Sequence, residues 1–292
     1  METAFISGKG GTGKSNLCAA FASLGSEMVL ADCDVDAANL HLLFQPEKQE
    51  EEIFTGSTKA NIIPELCNNC GICISMCRFE AIHRQNGQVC ISEIACDGCG
   101  LCQRTCPEKA VEMKKNTMSR LYSGSFRYGT MVYGILGPAE ENSGKLVNKV
   151  RDKARQIAKI KNLNTIIVDG PPGIGCPVIS SITGTRQIVV VTEPSLSALY
   201  DLKRVLQLTL GFHAKTRVII NKYDLNTLIS DKIENYCLEQ NIQLAGKIPF
   251  DPEITTAMVN CKSLPEWNPD SKTTACIKEV YKKIFNHDKQ CL

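Results

Sequence analysis

Gly8-Lys9-Gly10-Gly11-Thr12-Gly13-Lys14-Ser15 follows the apolar run Thr3 to Ser7 and precedes a helical run from Asn16 to Leu24. Strand, glycine-rich turn and helix in that order make a Gly-x4-Gly-Lys-Ser phosphate loop. The glycines let successive backbone amides turn inward around phosphate oxygens, and the helix N-terminus adds positive potential. In this reading Gly8, Gly10, Gly11, Thr12 and Gly13 supply the cradle, Lys14 reaches the outer phosphates and Ser15 coordinates magnesium. A second motif agrees with it. Thr165 to Asp169 is an apolar run ending in an aspartate and followed by Gly170-Pro171-Pro172-Gly173. Asp169 is placed where a carboxylate holds a magnesium-bound water, and Gly173 can offer a bare amide to the γ-phosphate.

Working outward, short apolar runs alternate with amphipathic segments, which predicts an α/β domain with a mostly parallel sheet. The strand candidates are Thr3 to Ser7, Met28 to Asp32, Met131 to Leu136, Thr165 to Asp169, Gln187 to Thr192, Thr216 to Asn221 and Gln243 to Ile248. Helical spacing puts Leu146, Val150, Ala154, Ile157 and Ile160 on one face, and Leu196, Leu199, Leu202, Leu206 and Leu210 on another. The alternation stops at the polar stretch Glu47 to Glu52 and resumes after about Met118. The segment between is expected to be an insertion, giving residues 1–58 and 117–292 to the larger domain and 59–116 to a small one.

That insertion carries eight of the 16 cysteines, as Cys67-x2-Cys70-x2-Cys73-x3-Cys77 and Cys96-x2-Cys99-x2-Cys102-x3-Cys106-Pro107. Each recurs 29 positions later, 67 to 96 through 77 to 106. Runs of this kind hold 4Fe-4S clusters, the fourth cysteine of each run ligating the other run's cluster. One cluster is expected on Cys67, Cys70, Cys73 and Cys106, and the second on Cys96, Cys99, Cys102 and Cys77. Two zinc ribbons would instead call for separated Cys-x2-Cys pairs. Arg78 stands after Cys77 where Pro107 follows Cys106, so the two clusters are expected to be inequivalent, the arginine favouring the more negative reduced state.

A cysteine-rich chain of 292 residues without a basic, apolar leader reads as a protein of the reducing cytoplasm rather than a disulfide scaffold. No stretch approaches the roughly 20 apolar residues of a membrane span. The formal charge is +2 with neutral thiols; two oxidised clusters at about −2 each would bring it near −2. No basic stripe argues for nucleic acid.

The lysine directly after the first loop glycine gives a resemblance. Gly8 to Ser15 is similar to the deviant Walker A motif of the MinD, ParA, Mrp and nitrogenase-iron-protein class of ATPases, and with its cysteine block the chain resembles MinD-superfamily P-loop ATPases containing an inserted ferredoxin domain. The resemblance implies a SIMIBI-like P-loop fold with a two-cluster ferredoxin-like insertion, ATP and Mg2+ as ligands, and a homodimer or a heterodimer with a related ATPase. It implies that Lys9 crosses the dimer interface to the partner's nucleotide. It also implies that Asp34, in Ala31-Asp32-Cys33-Asp34, positions or activates the attacking water. By residues alone, Lys9 could be a solvated loop lysine, and Asp32 and Asp34 ordinary acids at a helix N-terminus.

Asn221-Lys222-Tyr223-Asp224 leaves the base open: the Asn-Lys-x-Asp pattern reads guanine in many GTPases, whereas in the resembled class the asparagine reads adenine, helped by a later loop, here Ile248-Pro249-Phe250-Asp251. ATP is the favoured reading, with Asn221 and Pro249 at the base. Cys176, seven residues after Asp169, is either a buried packing thiol or a transient cluster or metal ligand. The remaining cysteines, Cys18, Cys33, Cys90, Cys237, Cys261, Cys276 and Cys291, form no close ligand spacing and read as structural. Ile277 to Phe285 has apolar residues at helical spacing with three lysines, read as a closing helix ahead of membrane docking, and His287 to Leu292 as a solvated tail. Three functions follow: an ATP-gated redox protein acting on a partner acceptor, an Mrp-like carrier delivering clusters to an accepting protein, or a positioning ATPase with clusters as staples.

Overall fold

The computed structural model describes residues 1–138, 140 and 143–285. Its strands in chain order are β1 (Glu2–Ser7), β2 (Met28–Asp32), β3 (Glu47–Phe54), β4 (Thr58–Ile62), β5 (Ile82–Gln85), β6 (Gln88–Ile91), β7 (Val111–Lys115), β8 (Ser119–Phe126), β9 (Gly129–Ile135), β10 (Ile166–Pro172), β11 (Gln187–Thr192), β12 (Lys215–Asn221) and β13 (Gln243–Ile248). The helices are α1 (Lys14–Leu24), α2 (Leu40–Phe44), α3 (Ile72–Met76), α4 (Leu101–Thr105), α5 (Ser143–Ile160), α6 (Cys176–Ile182), α7 (Leu196–Thr209), α8 (Thr227–Glu239), α9 (Glu253–Val259), α10 (Leu264–Trp267) and α11 (Lys272–Phe285). The chain divides into two compact units. The first holds Met1–Glu51, Leu121–Ile135 and the chain from Ser143 onward; the second holds Glu52–Arg120 and the segment beginning at Leu136.

In the first unit all seven apolar runs become strands of one sheet, in the order β13-β12-β11-β1-β10-β2-β9, every adjacent pair parallel. Such runs are apolar on both faces because a parallel sheet is covered on both; Thr3 to Ser7 is buried throughout. Phe5, Leu30, Met131, Val189 and Ile219 face one core together with Leu17 and Phe21 of α1 and Ile277, Val280 and Ile284 of α11. Each such side chain contributes about 2 kcal/mol by leaving water. The apolar face of α11 is thus occupied by the core, Tyr281 and Phe285 standing 6.1 and 6.2 Å from the Phe21 ring, as a closing helix requires. His287 to Leu292, with Cys291, lies outside the described residues. Among the described residues no helix is long and apolar enough to cross a membrane.

Three details differ from the sequence reading. β8 and β3 extend the sheet beyond β9, and Glu47 to Glu52, expected only as a break in composition, lies in the outermost strand. Its side chains are exposed up to Phe54, so no alternation marked it, and its charge suits an edge that must not pair with other chains. The apolar face of α5 is Leu146, Val147, Val150, Ala154 and Ala158, while Ile160 is 79% exposed. Likewise α7 buries Ala198, Leu202, Val205, Leu206 and Thr209, leaving Leu196 and Leu210 in solvent. On α5 the expected face holds at Leu146, Val150 and Ala154 and fails at Ile160, whereas on α7 only Leu202 and Leu206 of the expected leucines are buried, because small side chains let that helix approach the sheet on an adjoining face.

In the second unit β4 pairs antiparallel with β7, and β5 with β6. Each cysteine run carries one short helix, α3 after Cys70-Gly71 and α4 after Cys99-Gly100. The apolar interior is small: Ala60, Ala81, Cys96 and Val111 in one cluster, Cys73, Ile82 and Val89 in another.

Candidate nucleotide site and cysteine cavities

The loop between β1 and α1 sits at the C-terminal edge of the parallel strands, where open α/β sheets bind ligands. Gly11 and Gly13 take left-handed backbone, φ 83° and 84°. At Gly13 a Cβ would also lie 2.3 Å from Asn221 Nδ2, so glycine is required twice over. Lys14 is buried and its Nζ meets Asp169 Oδ1 at 2.5 Å. Burial works against its charge, yet the Asp169 carboxylate holds the ammonium above its ordinary range. Ser15 Oγ lies 3.5 Å from the same Nζ. Buried Cys18 donates to Asp169 Oδ1 at 3.4 Å, so this presumed packing thiol touches the site.

Strand pairing sets Asp32 of β2 directly beside Asp169 of β10. Asp32 accepts the backbone N–H groups of Asp34, Asn39 and Leu40, each at 3.2 Å. That network shapes the loop carrying Asp34, whose carboxyl is pushed up by burial and pulled back by Lys14. Three buried acceptors in this neighbourhood, Thr12 Oγ1, Asp169 Oδ2 and Asn221 Oδ1, have no hydrogen-bond partner among the described residues. Unsatisfied buried polar atoms are costly and call for a ligand or ion.

Lys9 Nζ meets Glu193 Oε1 of its own chain at 2.7 Å and the hydroxyls of Ser195 and Ser197 at 3.1 and 3.2 Å. Glu193 also holds Lys222 Nζ at 3.1 Å, and Lys222 donates to the Gly11 carbonyl at 2.9 Å. Glu193 escaped the sequence reading although it directly follows β11, the strand beside β1, at the ligand-binding edge. The Gly173 N–H, expected to be bare, donates to the Ser7 carbonyl at 2.8 Å; β10 runs on to Pro172 alongside β1, which brings the two together.

A cavity beside Gly13 is lined by Asn16, Asn221, Lys222, Phe250 and Asp251. Pro249, expected at the base, is not among its lining residues; the turn after β13 presents Phe250 and Asp251 instead. Asn221 Nδ2 donates to the Thr12 carbonyl at 2.8 Å. Asp224, the guanine-reading candidate, accepts the Phe250 N–H at 2.6 Å and does not line the cavity. Cys176 is exposed at the first position of α6, which corrects the buried-thiol reading.

In the second unit the eight repeat cysteines surround two separate cavities. Cys67, Cys70, Cys73 and Cys106 line one, and Cys77, Cys96, Cys99 and Cys102 the other. Cys106 accepts the Ala110 N–H at 3.3 Å, and Cys96 the Ala60 N–H at 3.4 Å. Burial pushes the Cys73 thiol up, with Cys106, Cys67 and Cys70 adding to it; Cys102 is raised by burial and by Cys96 and Cys99. Among the described residues no three His, Cys, Asp or Glu side chains converge as a single metal ion would need.

The sequence profile of the CobQ/CobB/MinD/ParA nucleotide-binding domain matches residues 3–264. The chain belongs to this family. An uncharacterised protein of Methanocaldococcus jannaschii is 32% identical over 289 residues, covering 97% of this chain and 96% of that relative. Septum site-determining protein MinD of Synechocystis is 26% identical over 259 residues, 85% of this chain and 75% of that protein. The structure of MinD complexed with Mg-ADP from Pyrococcus horikoshii superposes with a TM-score of 0.55 at 17% identity, over 98% of this chain and 96% of that one. The chain is therefore a MinD/ParA-type nucleotide-binding ATPase by family, on the α/β, mostly parallel P-loop fold expected from its sequence.

In this MinD/ParA-type site the paired aspartates make stability depend on pH. Burial first, and Asp169 second, push Asp32 from its ordinary 3.8 up to about 8, against Lys14 and the N–H groups of Leu40 and Asp34. Between those values the folded chain keeps a proton that the unfolded chain has lost. That stabilisation is complete below the ordinary value and disappears as pH rises through the folded one. The thermal midpoint of the nucleotide-free protein should accordingly fall from about pH 6 to about pH 9, and Asp32→Asn should flatten the slope. A midpoint indifferent to pH, or an unaltered slope in the variant, would refute this coupling.

Proposed function

We propose that the chain binds and hydrolyses MgATP as a homodimer, or as a heterodimer with a related ATPase, and that its second unit is a ferredoxin-like module bearing two 4Fe-4S clusters. The nucleotide cycle would gate electron delivery to a protein partner. The observation that carries this reading is the sorting of eight cysteines into two sets of four around separate cavities, each set drawing its fourth member from the other run. Four thiols spread around a recess with apolar walls, one in each set accepting a backbone N–H group, suit a cubane cluster, whose irons sit at separate corners. Cys67, Cys70, Cys73 and Cys106 would hold one, and Cys77, Cys96, Cys99 and Cys102 the other. When bound, each cluster supplies reversible one-electron storage.

The unpartnered Asp169 Oδ2 and the Ser15 hydroxyl suit magnesium. Lys14, turning from Asp169, would meet the outer phosphates, and Asp34 would orient water. Gly173 could turn its N–H to phosphate only by giving up the Ser7 carbonyl. Lys9 would have to leave Glu193 to reach a partner's nucleotide, so in this reading the Walker A motif is of the deviant type. Ordered switch segments that relax on hydrolysis give the cycle its two states.

Adenine is favoured over guanine because Asp224 is committed to the Phe250 amide. In competition against a labelled adenine nucleotide, ATP should displace it at least about tenfold better than GTP, since a guanine lacking its carboxylate partner forfeits a charge-assisted hydrogen bond. Tighter GTP binding would reverse the assignment. A cytoplasmic location and the absence of membrane and nucleic-acid partners belong to the same proposal.

The second reading, a carrier delivering clusters to an apo-acceptor, is favoured by the exposure of one ligand in each set, Cys70 and Cys99. Anaerobic purification with iron and sulfide analysis, then ATPase assays with clusters oxidised and reduced, tests the first reading. About eight irons per chain and a rate that follows cluster state would support it. ATP-dependent loss of iron to an apo-acceptor would favour the carrier, and a zinc-filled, iron-free protein would end both.

A further inference from the structure

We infer that the two cysteine cavities are tuned to different potentials, that the set of Cys77, Cys96, Cys99 and Cys102 retains an electron in preference to the other, and that Lys59 sets the difference. The inference rests on the two-cluster reading above. Lys59 is buried and its Nζ donates to the Cys96 carbonyl at 2.6 Å. Its neighbour Ala60 donates its N–H to Cys96 Sγ. Reduction adds one electron, hence one negative charge, to a cluster without changing its thiolates. A cation fixed in a low-dielectric surround therefore stabilises the reduced form more than the oxidised one and raises the potential.

Other differences between the cavities are small. Backbone hydrogen bonds to sulfur also raise cluster potentials; Ala60 N–H on Cys96 answers Ala110 N–H on Cys106, and the Gln103 N–H at Cys102 acts in the same direction as Lys59. Exposed charges of both signs stand at each cavity, Arg78 and Asp97 lining one and Glu108 the other, and Arg84 lies by Gly71 in the second. Water and salt screen such groups. Arg78, singled out in the sequence, is exposed and its guanidinium lies 4.6 Å from the Phe79 ring centre. Among the described residues of the second unit Lys59 is the buried cation, and its ammonium stands on the Cys96 side.

Potentiometric EPR on the anaerobically prepared holo-protein tests this, with iron and sulfide counted on the same samples. The wild type should show two resolved midpoints. Lys59→Met should lower only the higher one, moving the distribution of a single electron between clusters by at least tenfold, about 59 mV for a one-electron couple, and Lys59→Arg should keep it. In Cys106→Ser, which retains the Cys96 set, the surviving midpoint should be the higher of the wild-type pair; this comparison decides the matter even if Lys59→Met does not fold. Full iron content with coincident midpoints, an unshifted Lys59→Met, or a surviving midpoint equal to the lower wave would overturn the inference and leave the clusters standing. A protein without iron and sulfide would overturn the underlying reading, and the inference with it.

Discussion

Lys14→Gln should reduce MgATP turnover on the order of 10³-fold or more, the scale on which positioned charges act in phosphoryl transfer. The same change should destabilise the nucleotide-free fold. Lys14 is the counter-ion of Asp169, whose carboxylate is fully buried and, among the described residues, already lacks a partner at Oδ2. Removing one member of a buried pair leaves an uncompensated charge, at a cost on the order of 3–5 kcal/mol. The two effects separate in a double variant. Lys14→Gln/Asp169→Asn, with both charges gone, should recover much of the denaturant stability while turnover stays lost. Full turnover in Lys14→Gln would remove the lysine from the chemistry. Unchanged denaturant stability would mean that the 2.5 Å contact contributes nothing net.

Cys106→Ser should halve the iron content, from about eight to about four per chain. Although Cys106 belongs to the second run, it lines the cavity of Cys67, Cys70 and Cys73, so the cluster lost should be theirs. Double variants make the assignment. Adding Cys73→Ser to Cys106→Ser should remove little further iron, because the proposal gives both to one cluster, whereas adding Cys102→Ser should remove the rest. The opposite pattern would assign each cluster to a single run and dismiss the exchange of fourth ligands.

Much of this molecule is legible one segment at a time. The seven parallel strands follow from apolar runs whose backbones can be satisfied only by one another, and five of the seven deviate by no more than one residue at either end. β3 was not legible, because an exposed, charged edge strand leaves neither alternation nor an apolar run to read. The face of α7 slipped for a related reason: Ala198, Val205 and Thr209 pack where leucines were counted. At the site, the glycine loop, Lys14 and Asp169 carry recognisable spacing. Glu193, Cys18 and Lys59 carry none, because each acts through a neighbour remote in the chain.

By itself the sequence determined the phosphate loop, the run of parallel strands and the repeat that groups three cysteines of each run with the fourth of the other around one cavity, since each depends on residue type at short, regular spacing. Tertiary structure alone decided that Asp32 lies beside Asp169, that Lys9 rests on Glu193 of its own chain, that Asp224 serves the Phe250 amide and that Lys59 is buried against Cys96. Those pairings depend on which strands become neighbours and how deeply each side chain is enclosed. Charges interact by distance through a local dielectric, and separation along the chain does not determine that distance.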